Sequence, residues 1–170
     1  MAEVRPAGPA DVRGIAAVYA PWVRDTVVSF EDVPPSADEM AARVGAALRC
    51  LVAVDGREVL GYACATPHRA RAAYRWSVDV AVYLAPQARR RGLGRALYER
   101  LLTDLRDDGL VTAYAGITLP NAASVGLHEA MGFTQVARFP HVGFKHGAWH
   151  DVGWWARPLV DRLPVPPSGG

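Results

Sequence analysis

The residues with the clearest chemical potential are three arginines and two glycines near the middle of the chain. They are Arg89, Arg90, Arg91, Gly92 and Gly94. Arginine carries a permanent charge and fork-shaped donors that match phosphate. Glycine has no Cβ, so a ligand can approach the backbone closely. The stretch favours binding of a phosphate-bearing anion, although on the glycine spacing alone a tight turn with a solvated basic face explains it equally well.

The flanking sequence predicts a strand before this basic stretch and a helix after it. Between positions 78 and 84 the apolar side chains alternate, as on the two faces of a strand. One face carries Val78, Val80, Val82 and Leu84, and the other carries Asp79, Ala81 and Tyr83. Leu93, Leu97 and Leu101 follow at helical spacing. A helix that begins here directs its free N–H groups at the loop, which adds to the attraction for anions.

The composition predicts one globular domain without a nucleic-acid partner. The chain has 170 residues, 51% of them hydrophobic, and a formal net charge of +2. We expect a single domain over 1–162 and a Pro/Gly-rich tail over 163–170 that frays. The basic residues cluster locally at 69–75 and 89–95 rather than along a stripe. Local positive charge suits a small anionic ligand better than a polyanion.

The N-terminus and the cysteines predict a soluble, cytoplasmic protein without a membrane partner. Glu3 and Arg5 come early and no apolar run follows them, which is unlike a signal peptide. No segment approaches the ~20 apolar residues that cross a bilayer. Cys50 and Cys64 have neither metal-ligand spacing nor a disulfide framework. We expect each cysteine to lie in the core as a small hydrophobic residue.

The remaining patterns predict an α/β (α+β) fold with the element order β-α-α-β-β-β-α-β-α-β-β. Asp11 is expected to cap the first helix and Pro21 to kink or end it. Ser36 and Glu39 have the spacing of a capping box at the second helix. Asn121 can cap the helix that follows the fifth strand. Such an order implies a mixed sheet with antiparallel hairpins and βα crossovers.

The order Arg89-x-x-Gly92-x-Gly94 between a strand and a helix resembles the acetyl-CoA pyrophosphate loop of the GNAT superfamily of N-acetyltransferases. A P-loop would need Gly-Lys-Ser/Thr after the second glycine, and a Rossmann fingerprint would need a third glycine, so the sequence fits neither. The resemblance implies the GNAT acyl-CoA N-acyltransferase fold, a mixed central sheet of about seven strands with helices on both faces.

Further motifs narrow the resemblance to the phosphinothricin N-acetyltransferase family. Residues 121–133 read Asn-x-x-Ser-x-x-Leu-His-x-x-x-Gly-Phe, which resembles the GNAT segment after the fifth strand. Residues 73–76 and 143–153 are similar to that narrower family. The resemblance implies direct transfer of acetyl from acetyl-CoA to the amine of a small amino acid such as phosphinothricin or methionine sulfoximine or sulfone. No covalent enzyme intermediate is expected, because neither cysteine lies in a nucleophile motif.

The resemblance also assigns the contacts to acetyl-CoA. They come from the end of the central strand, from the basic loop with the helix start, and from the segment after the fifth strand. The residues are Val82, Tyr83, Leu84, Arg89, Arg90, Arg91, Gly92, Leu93, Gly94, Arg95, Asn121 and Ser124. Backbone N–H groups near Val82 are expected to stabilise the oxyanion that forms on the acetyl carbonyl.

Asp79 occupies the position at which the family carries a glutamate that acts as general base toward the substrate amine. Aspartate is one methylene shorter, so its carboxylate reaches roughly 1.3–1.5 Å less far, and misplacement by ~1 Å can lower a rate ~100-fold. A water relay can bridge this gap. Three outcomes are open: Asp79 acts as the base through a water, the substrate binds in a different position, or the activity is low. The structural alternative is a strand-end carboxylate paired with a nearby arginine.

His128 stands where many GNAT relatives carry a tyrosine beside the leaving thiolate. Imidazole can donate a proton to the CoA sulfur, which makes His128 a candidate general acid. The alternative is a helix histidine that packs near acetyl-CoA without proton transfer, and the sequence leaves both roles open.

The acceptor pocket is expected between Phe30 and the basic loop before the central strand. By resemblance, Arg71 and Tyr74 line the pocket and Phe30 forms an apolar wall. Arg69 lies in the same loop and favours capture of a substrate anion over a purely solvated role. His146, His150 and Asp151 lack a third close ligand at defined spacing, so we expect structural roles for them and no metal site.

Other functions remain possible from the sequence. A GNAT enzyme for another amine or a peptide N-terminus is one, although a polyamine pocket would be acidic. An acetyl-CoA-binding sensor with weakened catalysis at Asp79 is another. By resemblance we expect a homodimer, with some support from the five tryptophans and the aromatic C-terminal strands.

Overall fold

A computed structural model describes residues 2–165, so that Met1 and residues 166–170 lie outside the described chain. The order of its helices and strands is the predicted one. The elements are β1 (Glu3–Pro6), α1 (Val12–Asp25), α2 (Ala37–Ala46), β2 (Arg49–Asp55), β3 (Glu58–Pro67), β4 (Ser77–Leu84), α3 (Leu93–Asp107), β5 (Thr112–Leu119), α4 (Ala122–Ala130), β6 (Thr134–Lys145) and β7 (Ala148–Pro158). The predicted tail at 163–170 is described only as far as residue 165, so its fraying stays a prediction.

Two predicted helix caps are formed as expected. The Ser36 hydroxyl accepts a hydrogen bond from the Glu39 N–H at 3.2 Å, and the Glu39 carboxylate accepts one from the Ser36 N–H at 2.7 Å. Asn121 Oδ1 accepts a hydrogen bond from the Ser124 N–H at 3.1 Å. Each cap satisfies a donor that the helix itself leaves free, so α2 and α4 begin where the sequence predicts.

The first helix lacks its predicted cap, and it does not end at Pro21. The Asp11 side chain does not cap α1; its carboxylate instead accepts hydrogen bonds from Arg5 at 2.7 and 2.8 Å and from the Gly8 N–H at 2.8 Å. Pro21 lies inside α1, which continues to Asp25. Fully buried Val23 anchors the last turn, and the Trp22 indole N–H donates to the Leu84 carbonyl at 3.1 Å. These contacts offset the hydrogen bond that proline removes.

The seven strands form one mixed sheet in the order β1-β2-β3-β4-β5-β7-β6. Every neighbouring pair is antiparallel except β4 and β5. The β4–β5 register begins at Ser77 opposite Thr112 and extends to Asp79 opposite Tyr114. Both strands continue beyond this pairing, so they diverge and leave a cleft in the middle of the sheet.

Helices cover both faces of the sheet, as the resemblance implies. Tyr83 of β4 meets Tyr19 of α1 with ring centroids 4.8 Å apart. The next residue, Leu84, points to the opposite face, because side chains alternate along a strand. On that face a Cβ built at Gly94, in the first turn of α3, would lie 3.5 Å from Leu84 Cδ1.

The core fixes α3 against the strands. Leu97, Tyr98, Leu101 and Leu105 have no exposed surface in the described structure. This face is the helical stripe that the sequence predicts. The packing holds the N-terminus of α3 in a set position beyond the end of β4.

The cysteine prediction is wrong. Cys50 and Cys64 lie directly opposite each other in β2 and β3 and are joined by a disulfide in the structure. They are partly buried rather than core residues. The register of the β2–β3 hairpin includes an irregularity between Ala53 and Val54, and cysteine spacing alone does not reveal it.

Candidate active site

The cleft between β4 and β5 is the first part of the site. The N–H and C=O groups of β4 point alternately to the two sides of the strand. Those on one side pair with β3 as far as Leu84. Beyond Asp79 the other set faces the diverging β5, so alternate N–H groups point into the cleft. The cleft is lined by Val28, Val80, Ala81, Val82, Tyr83, Tyr98, Ala115, Gly116, Ile117, Thr118, Asn121, Ser124 and His128.

The basic loop that contains Arg89, Arg90 and Arg91 follows β4, and it leads into the start of α3 beside the cleft. Arg90 and Gly92 have positive φ values of 60° and 76°, and Gly92 occupies the N-cap position. Within the described chain no side chain caps α3, and the Ala96 N–H bonds back to the Gly92 carbonyl at 3.0 Å. The first N–H groups of the helix therefore remain available to an anion.

The arginines of this segment are not equivalent. The Arg89 guanidinium lies over the Trp22 ring, 4.4 Å from its centroid. Arg95 forms an exposed ion pair with Glu99 at 2.8 Å. Arg90 and Arg91 are exposed on the loop. Neither side chain has a partner within the described residues, so both can contact a ligand without breaking an existing interaction.

Asp79 lies half-buried at the point where β4 and β5 diverge. Burial raises the pKa of its carboxyl above the ordinary value, and the hydrogen bond with His68 acts in the opposite direction. The partner is His68 Nδ1, which lies 2.6 Å from Asp79 Oδ1. The predicted alternative for Asp79 was an arginine pair, and the structure forms a histidine pair instead.

Sequence reasoning missed His68. Thr66 of β3 lies opposite Asp79, and the His68 N–H continues the ladder by bonding to the Ser77 carbonyl at 3.1 Å. His68 is therefore two residues beyond the partner of Asp79 on the same face, a diagonal neighbour within reach of a long side chain. The available signal was a histidine at the end of a predicted strand that pairs with the strand of Asp79.

Aromatic rings surround this histidine–aspartate pair. The His68 ring stacks on Tyr114 with centroids 4.7 Å apart and an interplanar angle of 25°. Trp154 and Tyr74 meet the same ring at 6.1 and 6.0 Å. Tyr74, predicted as an acceptor-pocket residue, thus lies close to the Asp79 pair and keeps 44% of its surface exposed.

A shallow depression opens beside Asp79 on the other side of the cleft. Phe30, Phe139, Val142 and Trp154 line it together with the strand residues around Asp79. The Phe30 ring occupies the space where Gly143 would carry a side chain, because a Cβ built at Gly143 would overlap the ring. The structure thus brings the predicted wall residue and the predicted carboxylate into one depression.

The two predicted loop arginines take different positions. Arg69 Nη1 donates to the His68 carbonyl at 2.8 Å, and its charge is close enough to help lower the pKa of Asp79. Arg71 is exposed, and its carbonyl accepts from the Tyr74 N–H at 3.0 Å. Arg69 therefore belongs to the surroundings of Asp79, whereas the described contacts do not bring the Arg71 guanidinium to it.

His128 is buried in α4 at the edge of the cleft, with 4% of its surface exposed. Its Nδ1 lies 2.7 Å from the Ser124 carbonyl, which can only accept, so Nδ1 carries the hydrogen. Nε2 then accepts from the Tyr98 hydroxyl at 2.9 Å. Burial lowers the pKa of His128, which favours this neutral form.

Two of the three candidate metal ligands of the last hairpin, His150 and Asp151, have other partners. Asp151 accepts hydrogen bonds from Arg138 at 2.6 Å and from the His141 N–H at 2.9 Å. His150 Nε2 donates to the Lys145 carbonyl at 3.0 Å. These bonds support the structural roles expected for this hairpin.

The diverging strands, the uncapped helix and the basic loop all lie within residues 15–133. Residues 15–133 match the sequence profile of the acetyltransferase (GNAT) family. This chain belongs to the GNAT family. The predicted resemblance and the GNAT fold, with its seven-stranded mixed sheet, are confirmed.

The GNAT chain is also similar to individual acetyltransferases over most of its length. It is 39% identical to a phosphinothricin N-acetyltransferase of Streptomyces coelicolor, covering 92% of this chain and 96% of that protein. It is 37% identical to an L-methionine sulfoximine/L-methionine sulfone acetyltransferase of Pseudomonas paraeruginosa, covering 89% and 91%. The crystal structure of a GNAT phosphinothricin acetyltransferase from Sinorhizobium meliloti, in complex with AcCoA, is 36% identical with a TM-score of 0.91, covering 98% and 94%.

Among the helices of residues 2–165, none combines the length and the apolar character that a bilayer-spanning segment requires.

Proposed function

We propose that this GNAT enzyme transfers the acetyl group of acetyl-CoA to the amino group of a small amino acid such as phosphinothricin or methionine sulfoximine or sulfone. The names and the coverage of its relatives support this substrate class. The single observation that carries the chemistry is a half-buried carboxylate, Asp79, at the junction of the cleft and the depression. An amine held in the depression would face a thioester held in the cleft.

The described residues fit acetyl-CoA as co-substrate. The open N–H groups at the start of α3 and the exposed Arg90 and Arg91 suit its pyrophosphate. The amides of β4 that face the cleft suit its pantetheine arm, and so do Asn121 and Ser124. Acetyl-CoA supplies a thioester whose acetyl carbon accepts an amine.

The acceptor amino acid would bind with its carboxylate or its side-chain oxygens toward the loop of residues 69–75. Arg69 and Arg71 supply positive charge there, and Tyr74 supplies a hydroxyl. Phe30 would contact the apolar part of the substrate. This polarity suits an acidic amino acid and opposes a polyamine.

Asp79 is proposed as the centre of proton removal from the substrate ammonium, directly or through a relay. The freed nitrogen lone pair forms the N–C bond while the C–S bond breaks. The β4 N–H groups that face the cleft would donate to the carbonyl oxygen as it gains charge.

We place His128 at the thiolate end of the cleft, where it is either a proton donor or a packing residue. A proton-donor role needs a second proton on a buried ring, and burial disfavours it. The bonds to Tyr98 and Ser124 support the other role, a packed histidine that fixes the Tyr98 hydroxyl beside the cleft.

A homodimer in the cytoplasm is part of the proposal. Val136, Phe144 and Trp149 of the β6–β7 hairpin are exposed by 56%, 59% and 63%, a surface that suits contact with a second copy. A cytoplasmic setting suits an enzyme that consumes acetyl-CoA.

The test is thiol release from acetyl-CoA with a panel of acceptors. The panel contains phosphinothricin, methionine sulfoximine, methionine sulfone, a peptide with a free N-terminus and a polyamine. We expect turnover with the first three and loss of that turnover in Asp79→Asn. Turnover with the peptide alone would assign another acceptor, and acetyl-CoA binding without any turnover would identify a sensor.

A further inference from the structure

We propose that His68 is the group that takes the proton from the substrate ammonium, and that Asp79 orients its ring and balances its charge. This inference rests on the proposed function, because it names the proton relay within the same acetyl transfer. It replaces a water between Asp79 and the amine with a side chain fixed by the protein.

The first support is the hydrogen bond between the two side chains. Asp79 Oδ1 lies 2.6 Å from His68 Nδ1, and an ionised carboxylate can only accept, so Nδ1 carries the hydrogen. The bond made by one ring nitrogen fixes the state of the other. Nε2 is then left with a basic lone pair, and no group within residues 2–165 forms a hydrogen bond with it.

The second support is the distance that the side chain at position 79 can span toward the substrate amine. Asp79 stands where a glutamate is expected, and the missing methylene withdraws the carboxylate by roughly 1.3–1.5 Å, enough to matter when ~1 Å can change a rate ~100-fold. An imidazole bonded to the shorter carboxylate moves the basic atom outward by the width of the ring. The shortened residue and the histidine beside it thus form one unit.

The third support is the way the ring is held. The His68 N–H is bonded to the Ser77 carbonyl at 3.1 Å, which fixes the backbone. Tyr114 stacks on the ring, and Trp154 meets it edge-on. The His68 side chain is still 15% exposed. A ring that is held by aromatic neighbours and remains partly exposed suits a general base.

One carboxylate, one guanidinium and two tyrosine rings surround the His68 ring. Asp79 faces the ring from β4, Arg69 follows His68 in the loop, and the hydroxyl-bearing rings of Tyr74 and Tyr114 flank it. Asp79 is the carboxylate in contact, so a proton on Nε2 creates an imidazolium–carboxylate pair. Arg69 opposes this pair from a more exposed position.

The chemical step balances. One N–H bond of the substrate ammonium breaks and an Nε2–H bond forms on His68. The amine lone pair forms the N–C bond, and the electrons of the C–S bond leave with the sulfur. The nitrogen gives its second proton to the departing sulfur, so that the products are a neutral amide and the CoA thiol. The proton on Nε2 passes to solvent after the product departs, which restores the neutral ring.

The test compares four variants in steady-state kinetics with the acceptor that the wild type acetylates fastest. They are His68→Phe, Asp79→Asn, Asp79→Glu and His68→Phe combined with Asp79→Glu. Phenylalanine keeps a ring between Tyr114 and Trp154. The control is His146→Asn, in the exposed turn between β6 and β7, where a positive φ of 50° tolerates asparagine.

We expect His68→Phe to lower kcat by about 10²–10⁴-fold, the usual contribution of a general base. Its loss should equal or exceed that of Asp79→Asn, and its dissociation constant for acetyl-CoA should stay within threefold of the wild type. The double variant should have a kcat at least tenfold higher than that of His68→Phe alone, because the longer carboxylate of Asp79→Glu reaches the amine without a relay. The control should keep wild-type kinetics.

The inference is overturned if His68→Phe keeps kcat within threefold of the wild type, or loses much less than Asp79→Asn. A wild-type enzyme that releases no thiol with any acceptor overturns the proposed function, and the base assignment with it. Nitrogen-15 NMR of the wild-type imidazole gives a test that needs no folded variant. The Nδ1–H tautomer is expected, and a hydrogen on Nε2 overturns the inference.

Discussion

At the scale of single residues, the acceptor side of the site depends on one ring and one glycine. Phe30 reaches across from the segment after α1 and fills the space above Gly143 of β6. The ring is 40% exposed, and it also meets the His150 ring with centroids 6.2 Å apart. The residue opposite the ring therefore sets where the wall of the depression stands.

Gly143→Ala is expected to displace the Phe30 ring and to weaken acceptor binding. Overpacking costs ~1–3 kcal/mol, which corresponds to roughly a five- to 150-fold rise in acceptor KM. The KM for acetyl-CoA should be unchanged. The control is Gly45→Ala, on an open helix surface. Unchanged acceptor KM in Gly143→Ala would show that Phe30 does not shape the acceptor site.

His128→Phe separates the two roles considered for this histidine. The buried Tyr98 hydroxyl would lose its acceptor, so the free energy of unfolding should fall by ~1–3 kcal/mol while kcat falls less than ~tenfold. Urea unfolding and steady-state kinetics measure the two effects. Tyr98→Phe removes the same bond and should behave alike. A loss of kcat above ~100-fold with unchanged stability would instead identify a proton donor.

At the scale of elements, the site is built by two strands that separate and by a helix that begins beside them. β4 and β5 pair briefly and then diverge at Asp79. Buried leucines hold α3 so that its uncapped N-terminus lies beyond β4. Both features leave backbone N–H groups free, and free N–H groups suit the charges of a CoA thioester.

Arg91→Gln is expected to raise the Kd for acetyl-CoA by about fivefold, since hydrogen bonds to charged groups contribute ~1.5–3 kcal/mol before solvent screening. The dependence of Kd on salt should also weaken. Isothermal titration calorimetry at two salt concentrations measures both. Arg57→Gln, in the exposed β2–β3 turn, is the matched control. Equal behaviour of the two variants would place the pyrophosphate elsewhere.

Asp11 links β1 to the start of α1 and predicts how stability responds to acid. The hydrogen bonds from Arg5, and then from the Gly8 N–H, hold the pKa of Asp11 below its ordinary value. A carboxylate with a lowered folded-state pKa stabilises the fold above its unfolded-state pKa, and this contribution is lost as the pH falls through the folded-state pKa.

Asp11→Asn should therefore lower the free energy of unfolding at pH 7 by ~1–3 kcal/mol. It should also reduce the further decline between pH 5 and pH 2, since that decline includes protonation of this group. Urea unfolding across this range measures it, with Asp161→Asn as an exposed control. An unchanged pH dependence in Asp11→Asn would contradict the stabilising role of the Arg5 pair.

At the scale of the whole molecule, local patterns predicted the elements, but not the contacts between distant strands. The strand–loop–helix around Gly92, the capping box at Ser36 and the cap at Asn121 follow from short-range chemistry. The pairing of His68 with Asp79 and of Cys50 with Cys64 depends on strand register, which a sequence specifies only through the complete sheet. The continuation of α1 through Pro21 is likewise a result of tertiary packing.

The exposed β6–β7 hairpin predicts self-association. Phe144 and Trp149 contact each other with ring centroids 5.2 Å apart and remain largely exposed. We expect sedimentation analysis to give a dimer, and Phe144→Ser combined with Trp149→Ser to give a monomer. Val33→Ser, at another exposed apolar residue, is the control. A wild-type monomer at micromolar concentration would contradict the proposed homodimer.

Mass spectrometry of the acceptor after incubation with acetyl-CoA is the measurement to make first. The wild-type enzyme should convert L-phosphinothricin or L-methionine sulfoximine to a product acetylated on the α-amino nitrogen. Asp79→Asn should form this product at least ~100-fold more slowly, because it removes the carboxylate that supports deprotonation. Absence of N-acetylated product from every amino acid tested, or equal rates for the wild type and Asp79→Asn, would contradict acetyl transfer centred on Asp79.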